Sequence, residues 1–134
     1  MKVESWMTRD VVTVSPSLPL IEAYRFFHDY EIRHLPVVEE GELVGIISKR
    51  DIGKLLLQTM PVNDMDSMGV VMQAMVTEVH TVKPDDTIQE AALLMRNRKI
   101  GSLPVVNDAG CLVGIVTTDD MLEVLVARLA KNGG

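Results

Sequence analysis

An α/β (α+β) fold made of two β-α-β-β-α repeats is predicted by three features of the chain. A set of motifs occurs twice, strand and helix periodicities alternate in the same order within each copy, and turn residues fall between them. The segment VVTVSPSLPLIEAYRFF, from Val11, aligns with VHTVKPDDTIQEAALLM, which begins 68 residues later at Val79. IRHLPVVEEGELVGIISKRD, from Ile32, aligns with IGSLPVVNDAGCLVGIVTTDD, from Ile100, with one residue inserted near Ala109.

Each copy opens on a β-branched run, Val11–Val14 or Val79–Val82, which suits a strand. Pro16 or Pro84 then breaks it. A helix follows, because Leu20, Ala23, Tyr24 and Phe27 fall at i, i+3, i+4, i+7, as do Ile88, Ala91, Ala92 and Met95. Two short strands come next, LPVVEE and LVGIIS in the first copy, LPVVND and LVGIVT in the second. The short polar interval at Gly41 or Gly110 predicts a hairpin. A closing helix is expected near Lys49–Met60 and Thr118–Lys131. The repeats divide the chain at 1–60 and 61–134. A half of this size is marginal alone, since two helices cover only one face of its sheet. The two halves are therefore expected to pack sheet to sheet with pseudo-twofold symmetry, leaving a cleft between them.

The connector, from Pro61 to about Gly69, leads into a methionine stripe at Met65, Met68, Met72 and Met75 with helical spacing. Two readings stay open: a core-facing helix entering the second copy, or an adaptable partner or dimer surface. The tail KNGG is expected to fray.

Composition narrows the function. The 134 residues are 47% hydrophobic and 24% charged, the balance of a folded globular chain. A net charge of −6 without a basic cluster argues against nucleic acid. No apolar run approaches the length of a membrane span, and MKVESWMTRD is not a signal peptide. The one cysteine, Cys111, rules out a disulfide within one chain and suits a reducing cytoplasm.

No catalytic arrangement stands out. His28, His34 and His80 are scattered, and no nucleophile elbow, Walker loop, HExxH or metal-ligand cluster is present. The pairs Asp85–Asp86 and Asp119–Asp120 are sequence neighbours, which do not face one another on a helix. Asp85–Asp86 is expected to start a helix, where acids meet the positive end of the dipole.

What repeats is Gly-x-x-[Ser/Thr]-x-x-Asp at a strand-to-helix junction, GIISKRD at Gly45–Asp51 and GIVTTDD at Gly114–Asp120. One reading is a helix cap: Ser48 or Thr117 at the N-cap and Asp51 or Asp120 three residues on, as in a capping box. The other is a ligand site. Helix-start N–H groups attract phosphate, Ser48 or Thr117 adds a hydroxyl, and Asp51 or Asp120 accepts the hydroxyls of a ribose. In that reading Gly45 and Gly114 permit close approach of the ligand to the backbone. The two readings are compatible, since a cap can share its donors with an anion.

The ordered set Val-x-Thr-Val-x-Pro, Leu-Pro-Val-Val and Leu-Val-Gly-Ile-x-Ser/Thr-x-x-Asp, found twice between about Lys2 and Leu129, resembles the CBS domain, named after cystathionine β-synthase. Two in tandem resemble a Bateman module, and IRHLPVV is similar to small bacterial CBS proteins of the acetoin-utilisation type. The resemblance implies an adenosine-ligand site in each half, for AMP, ADP, ATP, S-adenosylmethionine or NAD as a regulatory ligand rather than a catalytic cofactor. It implies that Asp51 and Asp120 hold ribose hydroxyls and that Ser48 and Thr117 contact phosphate. Thr13–Val14 and Thr81–Val82 would frame the adenine, with Leu35–Pro36 and Leu103–Pro104 as apolar walls.

The copies differ in charge. Lys49 and Arg50 lie between hydroxyl and acid in the first motif, where the second has Thr118 and Asp119. Arg33 and His34 precede the first LPVV, where the second has Gly101 and Ser102. The first site is therefore expected to tolerate more phosphate charge. The expected role is a non-enzymatic regulatory module, homodimeric by family resemblance, cytoplasmic, and signalling to an effector protein or through its own assembly. The alternative is a ligand-independent scaffold whose Ser/Thr-x-x-Asp elements only cap helices.

Overall fold

The computed structural model describes residues 1–59 and 69–131. The chain forms two compact units: Val12–Val79 in one, Met1–Val11 together with His80–Gly134 in the other. The first copy supplies α1 (Leu20–Asp29), β1 (His34–Glu39), β2 (Glu42–Ser48) and α2 (Lys49–Thr59). The second supplies α3 (Ile88–Arg98), β3 (Ser102–Val106), β4 (Leu112–Thr117) and α4 (Thr118–Lys131). The class is α+β, with two small antiparallel sheets, β1–β2 and β3–β4.

The helices form where the periodicity places them. Leu20, Ala23 and Phe27 of α1 are buried, as are Ile88, Ala91 and Met95 of α3. The residue at i+4 turns away from each core: Tyr24 is exposed and Ala92 half-buried. The first hairpin closes on Glu40 and Gly41, both at positive φ (50° and 81°), the signature of a two-residue type I′ turn. The insertion near Ala109 is absorbed at the second hairpin. There Asn107 Oδ1 accepts from the N–H groups of Ala109 and Cys111, both at 3.0 Å, and stabilises a longer turn.

Three local expectations are corrected. The opening β-branched runs are not full strands: each contributes one parallel bridge, Val14 to Val37 and Val82 to Val105. Val14 N–H donates to the Pro36 carbonyl (3.1 Å), and Val38 N–H donates to the Val14 carbonyl (2.9 Å). The next bond of that ladder would need a donor at Pro36, and proline has none. Pro104 stops the pairing at Val82 in the same way. Second, Asp85 and Asp86 do not open α3. Thr87 is its N-cap, with Oγ1 accepting from Glu90 N–H at 3.0 Å, while Asp86 Oδ2 accepts from Lys83 N–H and pins the preceding turn. Third, Met72 and Met75 do not lie on a long helix entering the second copy. Only Val71–Gln73 forms a single 3-10 turn, Met72 is exposed, and Met75 packs on the core of the first copy. The rest of the connector, with Met65 and Met68, and the last residues of the tail lie outside the described residues.

Each unit has its own core and its own strap. Val71 is fully buried among Val14, Leu20, Phe27, Leu35, Val37, Ile47 and Ile52. Val3 is fully buried among Val82, Ile88, Met95, Leu103, Val105, Val116 and Val124. The straps bond alike. Val71 N–H reaches the Leu18 carbonyl and Val3 N–H the Asp86 carbonyl, both at 2.8 Å. The Gly69 carbonyl accepts from Leu20 N–H (2.9 Å) and the Met1 carbonyl from Ile88 N–H (3.0 Å), so the straps satisfy the first orphan donors of α1 and α3. Val76 exchanges both backbone bonds with Ile46, and Thr8 with Ile115. The repeat therefore extends upstream of Val11 and Val79, to Val3 and Val71.

This assignment of straps has a direct consequence in the full chain. Val3→Ala removes buried methyl groups and is expected to cost about 2 kcal/mol. It should accelerate amide exchange at Ile115 and Val106 while sparing Ile46 and Val38. Val71→Ala should show the opposite pattern. Faster exchange at Ile46 in Val3→Ala, with Ile115 unchanged, would contradict the assignment.

Candidate functional site

The register of each hairpin delivers the repeated motif to one place. His34 pairs with Ser48 across β1–β2, and Ser102 pairs with Thr117 across β3–β4. The chain then turns directly into a helix. Lys49 N–H donates to the Arg33 carbonyl (3.0 Å) and Thr118 N–H to the Gly101 carbonyl (3.1 Å), so the residue before each LPVV strand clasps the helix start.

The cap is reciprocal in both copies. Asp51 Oδ2 accepts from Ser48 N–H and from the Ser48 hydroxyl, both at 2.9 Å, while Asp51 N–H donates to Ser48 Oγ at 3.1 Å. Asp120 Oδ2 accepts from Thr117 N–H (2.8 Å) and its hydroxyl (3.2 Å), and Asp120 N–H donates to Thr117 Oγ1 at 3.4 Å. The cap reading of the motif is thus realised in the fold.

Counting donors refines the ligand reading. Of the N–H groups in the first turn of α2, those of Lys49 and Asp51 are already engaged. The clasp and the cap do not use that of Arg50, which lies between them. In α4 the corresponding group is that of Asp119. The hydroxyl protons of Ser48 and Thr117 are committed to the carboxylates. Each carboxylate uses one oxygen, Oδ2, for all its bonds, and Oδ1 has no partner among the described residues. A half-buried carboxylate oxygen without a donor is a ready acceptor for a sugar hydroxyl.

The residues beside the parallel bridges form the second edge of the site. Thr13 and Thr81 lie one residue before the bridged Val14 and Val82, so their N–H and C=O point away from β1 and β3, and they have no partner among the described residues. Both threonines are exposed, whereas Val14 and Val82 are buried. Leu35 and Leu103 are fully buried members of the two cores, and Pro36 and Pro104 are fully buried beside them. These four back the junctions in this structure. Lys49, Arg50 and Arg33 are exposed, and His34 is half-buried. Burial holds the His34 imidazole below its ordinary pKa, the nearby Asp51 carboxylate opposes that shift, and Arg33 adds to it. The net effect favours the neutral imidazole. Ser102, its counterpart, is buried.

Gly45 and Gly114 serve the straps. A Cβ on Gly45 would lie 2.7 Å from Met75 Sδ and 3.0 Å from the Val76 carbonyl oxygen. On Gly114 it would lie 2.6 Å from Met7 Sδ and 3.0 Å from the Thr8 carbonyl oxygen. The close approach that these glycines permit is that of the chain's own backbone, which corrects the expectation of a ligand there. Met7 and Met75 were the signal for this, since they stand 68 residues apart, in register with Val11 and Val79.

The CBS domain profile matches residues 3–58 and 70–127. Among solved structures, the CBS domain pair of protein MJ0100 in complex with 5′-methylthioadenosine and S-adenosyl-L-methionine superposes with a TM-score of 0.86. It is 29% identical, with 96% of this chain and 98% of that one covered. An acetoin utilization protein (AcuB) from Vibrio cholerae gives a TM-score of 0.84 at 32% identity, covering 99% and 96%. CBSX2 in complex with AMP gives 0.82 at 25% identity, covering 95% and 97%. The first curated relatives are longer proteins, of which this chain spans between 22% and 46%. With the profile matching twice and the fold shared along nearly the whole chain, this protein belongs to the CBS domain family and carries two CBS domains in tandem.

Proposed function

We propose that the chain is a non-catalytic regulatory module that binds adenosine-containing ligands at its two strand-to-helix junctions. One observation carries the reading: Asp51 and Asp120 hold their caps through a single oxygen, and the other faces no protein donor among the described residues. That oxygen suits a ribose diol, and the unpaired backbone of Thr13 and Thr81 suits the edge of a purine. The related pairs solved with methylthioadenosine, S-adenosylmethionine or AMP support this ligand class. AMP, ADP, ATP and NAD belong to the same class. Ligand binding then shifts an equilibrium by its difference in affinity for two states, and the output passes to an effector protein or to a homodimer in the cytoplasm.

The homodimer reading is supported by α4. Leu122, Leu125, Val126 and Leu129 recur at i, i+3, i+4 and i+7, and each is more than half exposed. No helix among the described residues is long and apolar enough to cross a membrane.

The second reading, a ligand-independent scaffold, is favoured by the same caps, since each is built entirely from the chain's own atoms. Thermal denaturation with adenosine compounds separates the two. A ligand at a hundredfold excess over its Kd stabilises by about 2.7 kcal/mol, a rise of several degrees in Tm. Asp51→Ala and Asp120→Ala each lose a cap worth about 1 kcal/mol, and the double variant should lose the ligand response as well. A native chain that no adenosine compound stabilises would support the scaffold. For the assembly, Leu125→Glu with Val126→Lys should convert a dimer to a monomer in sedimentation analysis; a native chain that is monomeric at micromolar concentration would contradict the dimer.

A further inference from the structure

We infer that the two junctions divide ligands by charge: the first takes adenosine compounds bearing phosphate, and the second takes unphosphorylated or sulfonium-bearing ones. This rests on the adenosine reading above and adds the chemical class for each site.

The two junctions share one backbone arrangement. Both junctions have the same cap, the same clasp from the residue before the LPVV strand, and one N–H in the first turn of the helix that neither cap nor clasp uses. A difference in ligand preference must then come from side chains. At the first junction Arg33, Lys49 and Arg50 stand against Asp51, which leaves two net positive charges. At the second, Gly101 and Thr118 are neutral while Asp119 and Asp120 are acidic, which leaves two net negative charges. The difference is four elementary charges over matching positions.

The residue that carries this N–H sharpens the contrast. At the first junction it belongs to Arg50, between two cationic side chains, where an anion gains charge-assisted bonds. At the second it belongs to Asp119, whose own carboxylate repels an approaching phosphate. A ligand without phosphate avoids that repulsion, and a sulfonium is attracted by it. Ligands of both kinds occur among the related pairs: AMP in one, methylthioadenosine and S-adenosylmethionine in another.

The amides of Arg50 and Asp119 are also the natural probes. In a titration of the full 15N-labelled chain, ATP should saturate the shift of the Arg50 amide at about tenfold lower concentration than that of Asp119. That is the order expected of several partly screened surface charges, and it should shrink at high salt. With 5′-methylthioadenosine the order should vanish or reverse. Exchanging residues between the copies, as Lys49→Thr with Arg50→Asp, should abolish the ATP order while keeping the response to methylthioadenosine. Thr118→Lys with Asp119→Arg should bring the second junction toward the first. An equal or reversed ATP order in the native chain, or an order unchanged by the exchange, overturns the division by charge. If neither amide responds to either compound, the adenosine reading itself fails, and the inference falls with it.

Discussion

The feature on which the rest depends is a single carboxylate oxygen that holds the start of a helix. A strand that runs straight into a helix leaves the first N–H groups of that helix unpaired, and a half-buried unpaired donor is costly. The fold fills these donors from its own chain. The carbonyl of Arg33 or Gly101 takes the first, the hydroxyl of Ser48 or Thr117 takes the third, and Oδ2 of Asp51 or Asp120 takes the N–H of the capping residue. What the cap and the clasp leave unused at each junction is one amide and one carboxylate oxygen. A ligand that uses them leaves the cap intact, so binding and folding do not compete for the same atoms.

The straps explain how so short a sheet holds that geometry. Two strands alone make a marginal structure, and each hairpin here is flanked by a bridge on either side. On one side proline limits the bridge to a single residue, and the backbone of Thr13 or Thr81 next to it points away from the hairpin. On the other side glycine lets a strap carrying Met75 or Met7 lie against the strand. Val71 and Val3 anchor the straps in the two cores. Each unit thus needs a segment outside its own β-α-β-β-α run. For the second copy that segment is the first stretch of the chain, Met1–Val11.

Much of this was legible in the residues. The helices, the hairpins and the closing helices lie within a residue or so of their expected places, because period, turn chemistry and capping agree there. The Ser48–Asp51 and Thr117–Asp120 pairs were visible as caps because a cap is local and needs only spacing. What depended on long-range pairing was not visible. The run Val11–Val14 has strand propensity, yet its pairing stops where Pro36 withholds a donor, a partner more than twenty residues away. Gly45 and Gly114 signalled a close approach correctly, but nothing local says that the approaching atoms are Met75 and Met7. The methionine spacing at Met72 and Met75 imitated a helix, while the backbone between them is a single 3-10 turn satisfied by Pro16 and Leu18. The charge contrast between the copies was plain from composition alone. Its meaning depends on the two junctions, where cap and clasp use the same bonds in both copies.

The division of labour between the two oxygens of one aspartate is the core of this account. A crystal structure of the chain grown with 5′-methylthioadenosine tests it most directly. The ribose hydroxyls should lie within hydrogen-bond distance of Oδ1 of Asp51 or Asp120, with Oδ2 still accepting from Ser48 or Thr117. A nucleoside whose sugar touches neither aspartate, or one that binds only by pulling the carboxylate out of its cap, would contradict it.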